Sequence, residues 1–393
     1  MKKFSFLIMV ALIVGCTTKK DEKIITKEFI ETQLNFSVEQ YKLMAEACPD
    51  SLFPRTFQNG RFVTSDSRWW CSGFYPGALV YLYEYSKDNT IEAEIYNKFE
   101  YLEKEKLNSS DHDIGFKINC SFGNMLRVTK DTIKYAPILK DAAISLLSRY
   151  NPDVGVIRSW GRWNKAWQYA VIIDNMMNLE LLLVADKLEG NKEFYDCAIS
   201  HADKTRENHY RKDNSTWHVV SYDSVTGIPH VKQTHQGQAN ESAWARGQAW
   251  GLYGYTVMYR ETGEQKYLDQ AIKVAEYMLN HKNVPDDLIF YWDYDAKDIS
   301  NALRDASAAA ITASALITLS EYAELKSDKY LTAAKEIIKN LSSPKYRAES
   351  GENGNFLLKH SVGSLPNNSE VDVPLSYADY YYVEALMKLY RKI

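Results

Sequence analysis

Two short segments of the chain hold carboxylates where an acid or base could do chemistry. The first is Ala170-Val171-Ile172-Ile173-Asp174-Asn175-Met176-Met177-Asn178-Leu179, which runs on through Leu181-Leu182-Leu183-Val184-Ala185. Apolar residues fall on almost every side of it, so at helical pitch it reads as a helix enclosed all round by protein. Asp174 then stands at the mouth of a core helix, where an ionised carboxylate is costly unless paired or hydrogen-bonded. The usual outcome is a pKa raised toward neutrality, which suits a general acid or base. The plain alternative is that Asp174 caps the helix, and both roles can hold at once. The second segment is the polar loop Asn108-Ser109-Ser110-Asp111-His112-Asp113-Ile114-Gly115-Phe116. Its Asp-His-Asp cluster invites a metal, but the flanking segments offer no further ligands at helical or zinc-like spacing. No metal and no cofactor is expected, and the loop reads as the source of a second functional carboxylate, the alternative being a solvated loop aspartate.

Aromatic residues surround both segments. With 28 Tyr and 9 Trp, the chain has the material for a cleft that stacks on ring-shaped ligands, sugars above all, although most of the Tyr are expected to fill core. Ser67-Arg68-Trp69-Trp70-Cys71-Ser72-Gly73-Phe74-Tyr75-Pro76-Gly77 is a Gly- and Pro-punctuated loop that places Trp70 where it can meet a ligand. Ser159-Trp160-Gly161-Arg162-Trp163-Asn164-Lys165-Ala166-Trp167 is a second aromatic loop, leading into the Asp174 segment. In Thr234 to Gly251, Arg246 and Trp250 are four apart and share a helix face, so the guanidinium could hold a carboxylate while the indole covers a sugar. The alternative is an Arg246 paired with a structural carboxylate such as Glu241.

The elements that must position these groups are helices. Periodic apolar segments begin at Lys27 to Ala47, and one through Tyr85 has Pro76 in its first turn. Similar polar breaks recur at Tyr85 to Asp88, Leu188 to Lys192, Glu261 to Tyr267 and Leu325 to Tyr330, each closing one apolar helix and opening another. This is the trace of a repeated helix hairpin. Trp217 to Asp223 reads as a short strand or loop. Because both aromatic loops and both carboxylate segments precede helices, one end of the assembly is expected to gather the chemistry. No low-complexity linker interrupts residues 27–393, which read as one domain.

The start of the chain is different. Met1-Lys2-Lys3 and the apolar run Phe4 to Val14 form an export signal over residues 1–15, too short to span a membrane. It ends in Ile13-Val14-Gly15-Cys16, which resembles the bacterial lipobox, so Cys16 is expected to be lipidated and residues 16–26 to form a polar tether. The expected place is the periplasmic or cell-surface side of a bacterial outer membrane, with the lipid as the only membrane contact. A net charge of -4 gives no sign of a nucleic-acid partner. Cys48, Cys71, Cys120 and Cys197 show no CxxC pair and read as buried thiols or as one or two disulfides.

Trp70 to Gly77, His112-Asp113-Ile114-Gly115-Phe116, Ile173 to Asn178, Trp244-Ala245-Arg246-Gly247-Gln248-Ala249-Trp250-Gly251 and Arg304-Asp305-Ala306-Ser307-Ala308, in that order, resemble glycoside hydrolase family 88, the unsaturated glucuronyl hydrolases. The resemblance implies an all-α fold, an (α/α)6 barrel of six helical hairpins around a deep pocket. It implies as substrate an oligosaccharide ending in a 4,5-unsaturated uronic acid left by a polysaccharide lyase, of glycosaminoglycan type. Asp174 would protonate C4 and activate the water that adds at C5, with Asp113 assisting. His112, Trp160, His218, Gln236, Arg246, Trp250 and Trp70 match the family's substrate-binding positions. Members that prefer sulfated substrates carry Ser-x-x-Ser-x-Lys near the C-terminus, whereas Ser361-Val362-Gly363-Ser364-Leu365-Pro366 here has Pro in the Lys position. The competing readings are an unsaturated rhamnogalacturonyl hydrolase acting on pectin fragments and a glycan-binding surface lipoprotein without chemistry.

Overall fold

Each polar break in the apolar pattern is a helix end. The computed structural model describes residues 25–161 and 164–393. The expected signal, Cys16, and Arg162 with Trp163 lie outside them. Twelve α-helices lie among the described residues: α1 Lys27–Ala47, α2 Phe74–Ser86, α3 Asn89–Leu102, α4 Asn124–Thr129, α5 Thr132–Leu147, α6 Leu179–Glu189, α7 Lys192–Asn208, α8 Ala245–Thr262, α9 Gln265–Asn280, α10 Ala306–Leu319, α11 Ser327–Leu341 and α12 Ser376–Lys392. A π-helical segment, Gly115–Gly123, runs directly into α4. The even-numbered helices, with the π-helical segment bridging from α4 to α6, pack neighbour to neighbour in a closed ring, α12 returning to α2, and the odd-numbered ones cover them from outside. This is an (α/α)6 barrel.

Local chemistry sets the hairpins. At the first break Lys87 takes a left-handed turn with φ of 55° and Asp88 accepts the N–H groups of Thr90 and Ile91 to start α3. Gly190 with Asn191, and Gly263, repeat the device. At the fourth break α10 stops earlier than the pattern indicated, at Leu319, while α11 starts at Ser327. Inner and outer helices differ as their positions demand. Every residue of α10 is buried, and most are Ala, Ser or Thr, whereas α9 buries Tyr267, Leu268, Ala271, Val274, Ala275 and Met278 along one stripe. The glycines of the Trp70 to Gly77 motif have a packing role. A Cβ at Gly73 would lie 2.2 Å from the Lys117 carbonyl oxygen, and one at Gly77 would lie 2.2 Å from that of Cys120. Only glycine lets α2 meet the π-helical segment backbone to backbone.

The connections are unequal at the two ends. Those leading from inner to outer helices are short, but those from outer to inner carry all nine strands among the described residues: β1 Phe53–Gln58, β2 Arg61–Ser65, β3 Tyr150–Asn151, β4 Val156–Ile157, β5 Tyr169–Ile172, β6 Val219–Tyr222, β7 Pro229–Gln233, β8 Ser361–Ser364 and β9 Ser369–Val373. They form antiparallel sheets β1-β2, β3-β4, β5-β6-β7 and β8-β9. One end of the barrel thus bears the long loops.

The Asp174 segment is not the single helix its apolarity predicted. It is strand β5, then a 3-10 turn over Ile173–Asn178, then α6. The β-branched run Val171-Ile172-Ile173 favours extended backbone, and a strand buried on both faces cannot be told from a buried helix by periodicity. Asp174 is also not a cap, since neither the turn nor α6 has a side-chain cap bond. Cys48, Cys71, Cys120 and Cys197 are free thiols, and burial pushes the Cys71 and Cys197 thiols up to about 12.

Candidate active site

The pairing of β5 with β6 places the first carboxylate. Ile172 lies opposite Val219, and the Ile173 N–H donates to the His218 carbonyl at 3.0 Å, so Asp174 emerges from the sheet beside the His218 ring. The asparagines of the same motif fix it from both flanks. Asn175 Nδ2 donates to the Ile157 carbonyl at 2.9 Å, and Asn178 Oδ1 accepts the Phe116 N–H at 3.1 Å. The Asn178 bond ties the Asp174 turn to the segment that carries the second carboxylate. There the Asp113 N–H donates to Asp111 Oδ1 at 2.9 Å, and Lys117 Nζ reaches Asp111 Oδ2 at 2.7 Å. The cluster that resembled a metal site is therefore a loop fold, with Asp111 turned to Lys117 and Asp113 turned inward. Among the described residues no three His, Cys, Asp or Glu side chains converge as a metal would require.

Asp113 and Asp174 line one pocket of about 300 Å³, at the end of the barrel with the long loops. Its walls include Trp69, Trp70, His112, Trp160, His235, Gln236, Arg246 and Tyr377, and one side is the β8-β9 hairpin with Ser364, Asn367, Ser369 and Glu370. Burial is the leading influence on both acids. It raises the Asp174 carboxyl to about 7, against the opposing pull of the Arg246 charge, its own backbone N–H and the Trp250 indole. Asp113 is held well above the usual carboxylate range by burial and by Asp111, against Lys117, with the Asp174 charge raising it further. Two nearby acids in one largely buried pocket cannot both ionise cheaply.

The histidines are neutral. Burial pushes His112 down to about 3 and His218 well below its ordinary value. His218 Nδ1 accepts the backbone N–H groups of His235 at 3.1 Å and Gln236 at 3.2 Å. Its proton therefore sits on Nε2, which faces Asp174 Oδ2 at 3.8 Å. His112 Nε2 stands 3.6 Å from Asp113 Oδ2. Each carboxyl thus has a neutral imidazole beside it. Since the acid form of Asp174 is present only below its pKa of about 7, kcat/KM is expected to fall by about tenfold per pH unit above that value. A pH-rate profile with constant substrate checks this.

The expected substrate residues divide into two groups. Trp70, His112, Trp160, Gln236 and Arg246 line the pocket. Trp70 packs among Phe74, Phe116 and Tyr377, and Trp160 stacks on Trp167 at 5.3 Å. Gln236 Nε2 donates to the Gly363 carbonyl at 3.1 Å. His218 lies just beneath the wall, beside Asp174. Trp250 is not among the lining residues: it is fully buried and packs against Phe116 and Tyr381, with its indole toward the Asp174 carboxyl. On an inner helix such as α8, a residue four further on is one turn deeper in the barrel.

Arg246 lines the pocket but does not pair with Trp250 as its spacing suggested. Its guanidinium lies over the rings of Trp244 and Tyr377, at 4.5 and 5.3 Å, and not against Trp250. Its Nη1 donates to Asp305 Oδ2 at 3.0 Å and to the Val362 carbonyl, and its Nη2 to the Gly363 carbonyl at 2.5 Å. The structural carboxylate is therefore Asp305, the cap of α10, while Glu241 is exposed and 4.0 Å from Arg211. Sequence reasoning missed Trp69, His235, Tyr377 and the hairpin residues after Ser364. Trp69 had a signal in its neighbour Trp70, but the hairpin had none beyond the two serines.

The sequence profile described as Glycosyl Hydrolase Family 88 matches residues 52–390. The chain is 39% identical over 399 residues to an unsaturated glucuronyl hydrolase of Formosa agariphila, covering 99% of this chain and 98% of that one. The crystal structure of an unsaturated glucuronyl hydrolase specific for heparin superposes with a TM-score of 0.90 at 44% identity, covering 94% of this chain and 99% of that chain. An aspartate-to-asparagine mutant of the Streptococcus agalactiae enzyme, complexed with dGlcA-GalNAc6S, superposes with a TM-score of 0.81 at 26% identity, covering 95% and 94% of the two chains. Both the sequence match and the superpositions run over nearly the whole barrel, and this chain is a glycosidase that belongs to Glycosyl Hydrolase Family 88.

Proposed function

We propose that the enzyme removes a 4,5-unsaturated uronic acid from the non-reducing end of lyase-generated oligosaccharides of glycosaminoglycan type, by hydrating the C4=C5 enol-ether bond. The observation that carries this is the Asp174 carboxyl, poised at about 7 in an aromatic-walled pocket shared with Asp113. Asp174 donates its proton to C4, and the ring oxygen stabilises the cation that develops at C5. The Asp174 carboxylate then takes a proton from the water that adds at C5, which restores the acid. The resulting hemiketal opens by breaking the bond between C5 and the ring oxygen, leaving a ketone at C5. C1 is now a hemiacetal and expels the shortened sugar. Asp113, whose carboxyl burial and Asp111 hold well above the usual carboxylate range, assists as a second acid in the same centre, and the Trp walls hold the ring. The names of the Formosa agariphila relative and of the heparin-specific enzyme support the substrate class.

Incubation with a panel of lyase-generated disaccharides tests this reading. Loss of the ultraviolet absorbance of the conjugated double bond is the expected result, and a panel left unchanged would contradict it. No step uses a metal, so dialysis against EDTA is expected to leave the rate unchanged, and a loss restored by a divalent ion would show the Asp111 to Asp113 loop misread.

Cys16 is proposed as the lipid-bearing N-terminus of an exported protein, on the periplasmic or cell-surface side of an outer membrane. The Ile13-Val14-Gly15-Cys16 sequence supports it. Cys16→Ala is expected to move the protein from the membrane to the soluble fraction, with its activity unchanged, as fractionation of expressing cells would read.

A further inference from the structure

Asp113 and Asp174 reach the pocket from segments far apart in the chain, so their working separation has to be held by contacts between those segments. The Asn178 bond to Phe116 is one such contact. Arg149 supplies another. It stands between α5 and β3, is 8% exposed, and lies behind the pocket wall rather than among its lining residues. Its guanidinium is spread over three backbone carbonyls: Nε donates to Arg158 at 2.9 Å, Nη1 to Ser109 at 2.7 Å and Nη2 to Ser159 at 2.9 Å. Its own carbonyl accepts the Arg158 N–H at 3.0 Å and the Tyr169 hydroxyl at 2.8 Å. Burial lowers its pKa, with the Arg158 charge adding to the fall and Asp111, Asp113 and Tyr169 opposing it. A buried cation bonded to carbonyls and not to a carboxylate is a costly way to fill space. What a guanidinium offers in return is a rigid fork that reaches several acceptors in fixed directions.

The acceptors belong to the two carboxylate segments. Ser109 is in the loop that runs on to His112 and Asp113. Ser159 is hydrogen-bonded to β5, its N–H donating to the Ala170 carbonyl at 2.9 Å and its Oγ accepting the Ile172 N–H at 3.0 Å, just ahead of Asp174. One side chain thus joins the loop that delivers Asp113 to the strand that delivers Asp174. The Arg149 charge also faces His112 and, after burial, is the next influence keeping that imidazole neutral. The sugar-binding wall has separate support, because Trp160 bridges to Ala170 and stacks on Trp167. We propose that Arg149 is a positioning residue for the hydration, setting the separation of the Asp113 and Asp174 carboxyls by tying Ser109 to Ser159. This rests on the hydrolase reading above.

The test is a double-mutant cycle on an unsaturated disaccharide, with kcat and KM measured for the wild type, Arg149→Met, Asp113→Asn and the double variant. Arg149→Met is expected to lower kcat by about tenfold or more while KM stays within about twofold, since the wall that binds the sugar is left in place. In the Asp113→Asn background the same change is expected to cost less than about twofold further, because the acid that Arg149 positions is already gone. A barrel merely loosened by the substitution would lose the same factor in both backgrounds. That result overturns the inference, as does Arg149→Met or Asp113→Asn at the wild-type rate. If circular dichroism shows Arg149→Met unfolded at the assay temperature, the cycle is read with Arg149→Lys, which keeps the charge without the planar fork. Arg149→Lys is expected to lose about threefold in kcat, again only where Asp113 is present, and a wild-type rate or an equal loss in both backgrounds overturns the inference there too. A wild type that turns over no unsaturated disaccharide overturns the hydrolase reading, and this inference with it.

Discussion

Asp174→Asn is expected to lose at least ~100-fold in kcat while remaining folded, because the amide has no proton to give to C4 and no basicity to activate water. The surrounding structure holds the position without help from the carboxylate. Ile173 is tied to the His218 carbonyl, Asn175 to Ile157 and Asn178 to Phe116, all through groups the substitution leaves alone. The fold should gain from the change above neutral pH. The Asp174 pKa is raised from 3.8 to about 7 by burial, so the folded state binds more protons than the unfolded one between those values. Wild-type stability therefore falls as pH rises through that window, by at most about 1.4 kcal/mol for each pH unit. An asparagine carries no such penalty, and the unfolding midpoint of Asp174→Asn at pH 8 should not lie below that of the wild type. Loss of activity with loss of fold would mean that Asp174 is structural.

Arg246→Lys should damage both stability and turnover. Lysine keeps a charge but not the planar fork, and the carbonyls of Val362 and Gly363 and one oxygen of Asp305 lose donors in a fully buried place. Each buried acceptor left unpaired costs about 1–3 kcal/mol, so a stability loss of about 3 kcal/mol is expected from urea unfolding. Gly363 also holds Gln236, so the pocket wall shifts with it, and kcat/KM should fall by about tenfold or more. The loss should be equal on the acid substrate and its carboxyl ester, since the guanidinium is already engaged by protein. A loss confined to the acid would instead make Arg246 the clamp of the uronate carboxylate. Arg246→Met adds an electrostatic readout. Removing the positive charge that lowers the Asp174 pKa should move the alkaline fall in rate to higher pH, whereas Arg246→Lys should leave it in place.

Much of this site was legible in the residues because its chemistry is local. An aspartate among apolar neighbours implies a raised pKa whatever the backbone does, so Asp174 could be read as an acid even though its helix proved to be strand, turn and helix. The polar breaks marked hairpins because Asp88 and Asn191 cap and Gly190 and Gly263 stop helices by their own conformational chemistry. What could not be read depends on long-range contacts. Spacing put Arg246 and Trp250 on one face, but only the closed ring reveals that every face of α8 near its start is covered, sending Trp250 beneath the pocket. Asp305 is 59 residues from Arg246, a separation that no local pattern encodes.

Whether Asp174 protonates C4 of an unsaturated uronate is read most directly by turnover in heavy water followed by proton NMR. One deuterium is expected at C4 of the released uronate, on a single face, appearing as fast as the ultraviolet absorbance disappears and abolished together with it in Asp174→Asn. Release of the shortened sugar without C4 deuteration, or with deuterium on both faces in equal amounts, would contradict proton donation by Asp174.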